Sequence, residues 1–315
     1  QITAIALLAF AENKIDLAIL ETGLGGRLDA TTAANAEIVA ITPIDYDHQQ
    51  YLGETLTEIA GEKAAIINSQ KQKVVISKQQ SEAEKVIKGR CLEIGVEPVW
   101  ATKNIKTKEH KESGNSIIST SFKTEKGNYP DIILGLEGNH QTENAAVAIA
   151  LAEILNESGF KITDQNIWIG LEHATHKGRL EFYKEILFDG AHNIAGAKAL
   201  KKYLEKYYSD AKIVLIFGAM KDKQISEISE ILFPLAEDLV LTQLENSRAA
   251  TVKELKEIAL KIIDEKKIFT IPNVADAIDI ARHFSANHPV TEHSLICVTG
   301  SLYLVGEAQK VLGNK

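Results

Sequence analysis

Hydrophobic residues along this chain repeat with two periods, one suited to strands and one to helices. Apolar runs at residues 17–20, 37–42 and 74–77 read as strands, since short continuous runs of this kind fit strands covered on both faces. Leu56, Ile59, Ala60 and Ile67 recur at helical spacing. They predict a helix over about residues 55–67, opened by a capping box of Thr55 and Glu58. Residues 104–110 and 116–124 are predicted to pair as a hairpin around 112–115, ahead of a helix over 141–155. The first apolar stretch, residues 2–10, reads as the middle of a helix without a cap and starts from Gln1 rather than Met. That pattern predicts a chain truncated at its N-terminus.

A second series starts near Arg179, with strands predicted at 186–188, 213–217, 239–242, 268–271 and 295–299, each followed by a helical pattern. Strands alternating with helices imply an α/β fold with helices packed on parallel sheets. The link is placed at residues 173–178, where helical periodicity gives way to a polar, glycine-containing stretch. This divides the chain into domains at 1–175 and 176–315.

Composition narrows the function. The chain has 315 residues, 45% of them hydrophobic, and a formal net charge of -8. It is long enough for two cores, and an acidic balance argues against a nucleic-acid footprint, which needs clustered Lys and Arg. Small molecules are the expected partners. The two cysteines, Cys91 and Cys297, stand far apart without metal or redox spacing, so both are expected as buried thiols. No apolar run reaches bilayer length and no secretory signal pattern opens the chain, so the expected location is cytoplasmic.

In open α/β sheets ligands gather where strands end, which directs attention to four places. After the first run comes Glu21-Thr22-Gly23-Leu24-Gly25-Gly26-Arg27-Leu28-Asp29-Ala30. Its glycines allow close backbone approach, and Glu21 and Asp29 can bind a hard cation or orient a substrate. A tight turn is the plainer role, and the glycines lack dinucleotide-fingerprint spacing. Asp45-Tyr46-Asp47-His48 follows the second strand and is open to two readings, a metal-positioning group or a polar loop cap. Lys63 lies seven residues beyond Leu56 on the same apolar stripe. A core-facing amine must be paired, neutralised or modified. In the second half, Gly178-Arg179 precedes Asp189-Gly190-Ala191-His192-Asn193 at a strand end. Arg179 can grip phosphate oxygens, and Asp189 can accept from ribose hydroxyls or from a metal-bound water. His192 has a core or capping role as its plain alternative, and Asn193 a helix N-cap.

Taken in order, these segments resemble the folylpolyglutamate synthase and dihydrofolate synthase family of the Mur ligase superfamily. The resemblance rests on residues 21–31, Asp47-His48 with Leu52-Gly53, Glu62-Lys63-Ala64, Gly138-Asn139-His140-Gln141 with Asn144, Gly178-Arg179, residues 189–193 and Thr299-Gly300-Ser301-Leu302-Tyr303. It covers nearly the whole chain. It implies a P-loop-type Mur ligase central domain, here partial, followed by a Rossmann-like C-terminal domain. It also implies an ATP-dependent ligase that adds L-glutamate to dihydropteroate or to a tetrahydrofolate-type acid through an acyl phosphate. By resemblance, Glu21 and His48 are Mg²⁺ ligands, and Lys63 becomes a carbamate that holds a second Mg²⁺. Lys63, His48 and His192 are the implied catalytic residues. Asn144, Arg179 and Asp189 would contact ATP, and Arg27, Leu28, Asp29 and Ala30 the substrate. A monovalent cation and a monomeric state belong to the same expectation.

Two departures qualify it. No G-x-x-x-x-G-K-[ST] loop occurs in these residues, although the family carries one upstream. This chain alone is therefore expected to be inactive and, with an apolar sheet edge uncovered, prone to aggregate. His176-Lys177 also stands where the family usually has Trp-Pro. The alternatives are a Mur-type ligase for another acid and a non-catalytic homologue.

Overall fold

The computed structural model of the chain describes residues 1–112, 115–287 and 294–313. These divide into two compact units, one of residues 1–135 with 139–173, the other of 136–138 with 174–315.

The first unit begins with α1 (Ile2–Glu12) and continues through β1 (Ile38–Ile41), α2 (Gln49–Leu52), α3 (Leu56–Ala64), β2 (Lys73–Ile76), α4 (Ser81–Ile94) and β3 (Val99–Trp100). Then come β4 (Ile105–Glu112), β5 (Asn115–Lys123), β6 (Asn128–Ile133), α5 (Asn139–Glu157) and α6 (Asp164–Glu172). Strands β1, β2 and β3 form a parallel sheet in that order. Both its faces are covered, which explains the unbroken apolar run of β2. Val74 and Ile76 pack with Ile59, Ile67 and Ile87 on one side, while Val75 packs with Val147, Ala150 and Ile154 of α5 on the other. The expected hairpin is present as β4 and β5, which pair antiparallel. Ser113 and Gly114, within the expected turn, lie outside the described residues.

The capping box of α3 forms as its sequence predicts. Thr55 Oγ1 accepts from the Glu58 amide, and the Glu58 carboxylate accepts from the Thr55 amide at 2.9 Å. Residues 17–20, by contrast, are not a strand, which corrects the sequence reading. Leu17 and Ile19 are exposed, and among the described residues no neighbouring strand supplies the ladder of hydrogen bonds that turns an apolar run into a strand. Helix α1 forms, its Gln1 cap position makes no side-chain bond, and none of its residues is buried.

The second unit contains β7 (Glu181–Tyr183), β8 (Ile186–Asp189), α7 (Ile194–Tyr207), β9 (Lys212–Phe217), α8 (Ile225–Leu232), β10 (Asp238–Leu241) and α9 (Val252–Ala259). It ends with β11 (Ile268–Thr270), α10 (Val274–Asn287), β12 (Ser294–Thr299) and α11 (Leu302–Gly313). All five predicted strands of this half are present, in a sheet of order β11-β10-β9-β12-β8-β7 in which only the edge strand β7 runs antiparallel. Alternate residues feed two cores. Leu187, Leu215 and Phe217 face one together with α7 and α8, whereas Phe188, Val214 and Ile216 face the other with α10 and α11. Each fully buried side chain of this size contributes about 1.5–3 kcal/mol. The chain steps from β8 past one position to β9 and later returns to place β12 between them, so the strand order reverses there. Such a reversal leaves a crevice at the carboxyl ends of the strands.

Both cysteines are free and buried, and no helix among the described residues is long and apolar enough to cross a membrane.

Candidate active site

In the first unit the glycine loop is built against the last turn of α3. A side chain on Gly26 would stand 2.8 Å from the Glu62 carbonyl oxygen and 2.9 Å from that of Lys63, so only glycine allows the approach. Two contacts fasten it there: the Arg27 amide donates to the Glu62 carbonyl at 3.0 Å, and Arg27 Nε meets Glu62 Oε1 at 2.9 Å. Glu62, expected on a neighbouring face from Lys63, is thus committed to Arg27.

Asp29 organises the loop from within. One carboxylate oxygen accepts from the Gly23 and Leu24 amides, the other from the Thr31 amide and hydroxyl. Partial burial pushes its pKa up, but these hydrogen bonds outweigh that effect and hold it below the ordinary carboxylate value. The tight-turn role is therefore real for Asp29. Leu28, at 80% exposure, and Arg27 and Ala30 project outward from the loop so formed.

Lys63 is half-buried rather than enclosed, a correction to the core-facing expectation. Leu56, Ile59, Ala60 and Ala64 form the buried stripe, and the helix stops one residue after Lys63, leaving its last turn partly open. Among the described residues its amine makes no hydrogen bond or ion pair. Glu21 is exposed. His48 is exposed too, holds a left-handed φ of 51° at the start of α2, and carries Nε2 3.9 Å from Asp47 Oδ2. No hydrogen bond among the described residues joins Glu21, His48 and Lys63 to one another. Among the described residues no group of three or more His, Cys, Asp and Glu is gathered as a metal site. Asn144, on α5, donates to the Gln141 side-chain carbonyl at 2.9 Å.

In the second unit Asp189 ties two loops together at the end of β8. Its Oδ2 accepts from the Leu180 amide and its Oδ1 from the Ala191 amide, both at 3.0 Å, while the Gly190 amide donates to the Gly178 carbonyl at 2.7 Å. Gly178 has a φ of +71°, the left-handed turn that brings Arg179 and Leu180 over the strand end. Burial pushes the Asp189 carboxyl up to about 6, and the two amides with the charges of Arg179 and His192 offset only part of that. Its negative charge in turn adds to the burial that raises the Cys297 thiol. His192 Nδ1 lies 2.8 Å from the Gly190 carbonyl, and Asn193 takes the N-cap position of α7, accepting from the Gly196 amide.

Thr299 and Ser301, from the last of the motif segments, share this strand-end edge with Arg248, which the motif reading did not single out. Thr299 pairs in register with Asp189, is fully buried, and its hydroxyl has no hydrogen-bond partner among the described residues. Buried Ser301 follows it. Arg248, exposed in the loop after β10, is held through its carbonyl by the Lys221 amide at 2.8 Å. Applying the strand-end rule to every strand would have found it.

Comparison with known proteins agrees with this layout. Residues 1–152 match the Mur ligase middle domain, and residues 178–302 match the Mur ligase glutamate ligase domain. The chain is 34% identical over 315 residues to the dihydrofolate synthase/folylpolyglutamate synthase of Bacillus subtilis, covering 98% of this chain and 71% of that protein. It is 30% identical to the protein of the same name from Mycobacterium tuberculosis, covering 99% of this chain and 68% of the other. Among solved structures, Mycobacterium tuberculosis folylpolyglutamate synthase complexed with ADP and AMPPCP superposes with a TM-score of 0.87 at 31% identity, over 100% of this chain and 72% of that one. An Escherichia coli FolC structure in complex with DHPP and ADP gives 0.82 at 26% identity, over 98% of this chain and 69% of that one.

Proposed function

Because this chain belongs to the folylpolyglutamate synthase and dihydrofolate synthase family of Mur ligases, we propose that it joins L-glutamate to a folate-type carboxylate at the expense of ATP. The carboxylate is that of dihydropteroate or of the terminal glutamate of a tetrahydrofolate-type acid. Phosphoryl transfer from ATP turns it into an acyl phosphate, and the glutamate amino group then displaces phosphate to give an amide. The observation that carries this reading is the match of residues 178–302 to the glutamate ligase domain, with Asp189, His192 and Ser301 on the strand-end edge of that domain.

The residues divide by task. Residues 1–175 act as the central domain and 176–315 as the C-terminal domain. Arg27, Leu28, Asp29 and Ala30 receive the acyl substrate, with Asp29 keeping the loop in shape. Asn144, Arg179 and Asp189 contact the nucleotide. Glu21, His48 and Lys63 are the residues that would hold Mg²⁺, with His48 and Lys63 counted among the catalytic groups. Their chemistry fits a hard cation once Lys63 carries a carbamate, since a free primary amine can take up CO₂ and become a bidentate oxygen donor. Glu62 and Asp29 are already committed to Arg27 and the glycine loop, whereas Glu21 and the Lys63 amine are not. Mg²⁺, when bound, neutralises the charge that develops on the transferring phosphoryl oxygens. The partners are small molecules, and the protein works as a monomer.

The test is direct. A full-length version that carries the phosphate-binding loop absent from these 315 residues is incubated with ATP, Mg²⁺ and L-glutamate, together with dihydropteroate, a reduced folate, or a cell-wall precursor acid. Mass spectrometry should find a glutamyl adduct of one or both pteridine substrates, with ADP released in step. An adduct of the cell-wall acid alone would replace this reading with that of a Mur-type ligase for another substrate.

A further inference from the structure

Arg179 is exposed, so the direction of its guanidinium depends on the turn that carries it rather than on packing around the side chain. That turn, Gly178-Arg179-Leu180, is pinned through its backbone. The Gly178 carbonyl accepts from the Gly190 amide, the Arg179 amide donates to the His176 carbonyl at 3.2 Å, and the Leu180 amide donates to Asp189. One backbone donor of the turn remains, the Gly178 amide, and it donates to Glu181 Oε2 at 2.7 Å.

Glu181 therefore closes the turn, but it needs help to stay there. It is half-buried and meets no Lys or Arg among the described residues, so its charge rests on neutral donors. The second donor comes from the far end of the sequence. Gln309 Nε2, on α11, donates to the same Oε2 at 2.7 Å. A carboxylate can only accept, which fixes the Gln309 amide with its nitrogen toward Glu181. Leu302, Val305 and Gln309 share one stripe of α11, because they recur at helical spacing. A side chain on Gly178 would come 3.0 Å from Val305 Cγ1, and one on Gly190 would run into Leu302. The turn that carries Arg179 is thus seated on this stripe, which is apolar beneath Gly178 and Gly190 and polar at Glu181.

We propose that Gln309 is a positioning residue for the nucleotide: through Glu181 it holds the Gly178 turn and so aims Arg179 at ATP. This role rests on the ligase reading given above, in which Arg179 contacts the nucleotide. Without the Gln309 donor, Glu181 regains hydrogen bonds by turning toward water, and the Gly178 amide loses its acceptor. Arg179 then spends less time in the direction that meets ATP. Ground state and transition state lose the same contact, so the loss falls on KM for ATP and not on kcat.

The test uses a full-length version that carries the phosphate-binding loop. Gln309→Met keeps the length of the side chain and removes the donor, whereas Gln309→Arg keeps a donor for Glu181. Glutamate ligation gives kcat and the KM for ATP, and calorimetry gives the Kd for a non-hydrolysable ATP analogue. Gln309→Met is expected to raise both KM and Kd about five- to tenfold with kcat within about twofold of wild type, and Gln309→Arg to stay within about twofold throughout. In an Arg179→Ala background, Gln309→Met should change the Kd by less than about twofold, since no guanidinium remains to be aimed. An unchanged KM and Kd in Gln309→Met, a loss confined to kcat, an equal loss in Gln309→Arg, or the full effect persisting in Arg179→Ala would overturn the assignment. A wild-type protein that makes no glutamyl product from ATP would instead refute the ligase reading, and the positioning role with it.

Discussion

Replacing Asp189 by Asn should flatten the pH dependence of stability. The native carboxyl titrates near 6 instead of the ordinary 3.8 because burial disfavours its charged form. At roughly 1.4 kcal/mol per pH unit, that difference corresponds to about 3 kcal/mol. The folded state holds this proton more tightly than the unfolded chain, so the contribution is fully present below about pH 4 and lost as pH rises through 6. The wild type should therefore lose about 3 kcal/mol between pH 4 and pH 7 relative to Asp189→Asn. Asn keeps one oxygen to accept from the Leu180 or Ala191 amide and sets its NH₂ against the other, so the variant carries an offset that does not change with pH, and only the difference in slope reports the Asp189 titration. Urea unfolding of both proteins across this range measures the difference. Parallel curves would refute the argument and mean that Asp189 is solvated well enough to titrate normally. The flatter pH dependence should accompany a loss of ligation, because the charge is kept in place for the site.

Three other perturbations have definite outcomes. Gly26→Ala would press a methyl group against the Glu62 and Lys63 carbonyls, and it should cost about 1–3 kcal/mol in urea unfolding; unchanged stability would mean that the loop does not rest on α3. Lys63→Gln should leave unfolding within about 0.5 kcal/mol, since the amine has no partner among the described residues, yet reduce ligation at least about 10²-fold as a phosphoryl-charge ligand is removed. A variant with normal turnover would remove Lys63 from the site. Thr55→Ala breaks one arm of the α3 capping box and should cost about 1 kcal/mol, with Thr55→Ser nearly neutral; identical losses for both would point away from the hydroxyl.

Local features of this protein could be read from its residues one stretch at a time. The strands of the second unit, the Thr55–Glu58 box and the Asn193 cap depend on period, β-branching and hydrogen-bonding reach within a few residues, so their outcome is written locally. The position of the motifs after β1 and β8 followed from the same pattern. Tertiary structure decided what needs a partner far away in sequence. Residues 17–20 have a strand-like composition but no adjacent strand, and β7 is three residues long with partly exposed aromatics, strand only because β8 pairs with it. Lys63 sits on an apolar stripe, but only the end of α3 at Ala64 determines that its amine is half-buried. Asp29 and Asp189 are both carboxylates beside glycines, yet their pKa values move in opposite directions. Hydrogen bonds outweigh burial at the first, and burial outweighs hydrogen bonds at the second. That balance depends on how much protein surrounds each group, a property of the folded chain that no local pattern contains.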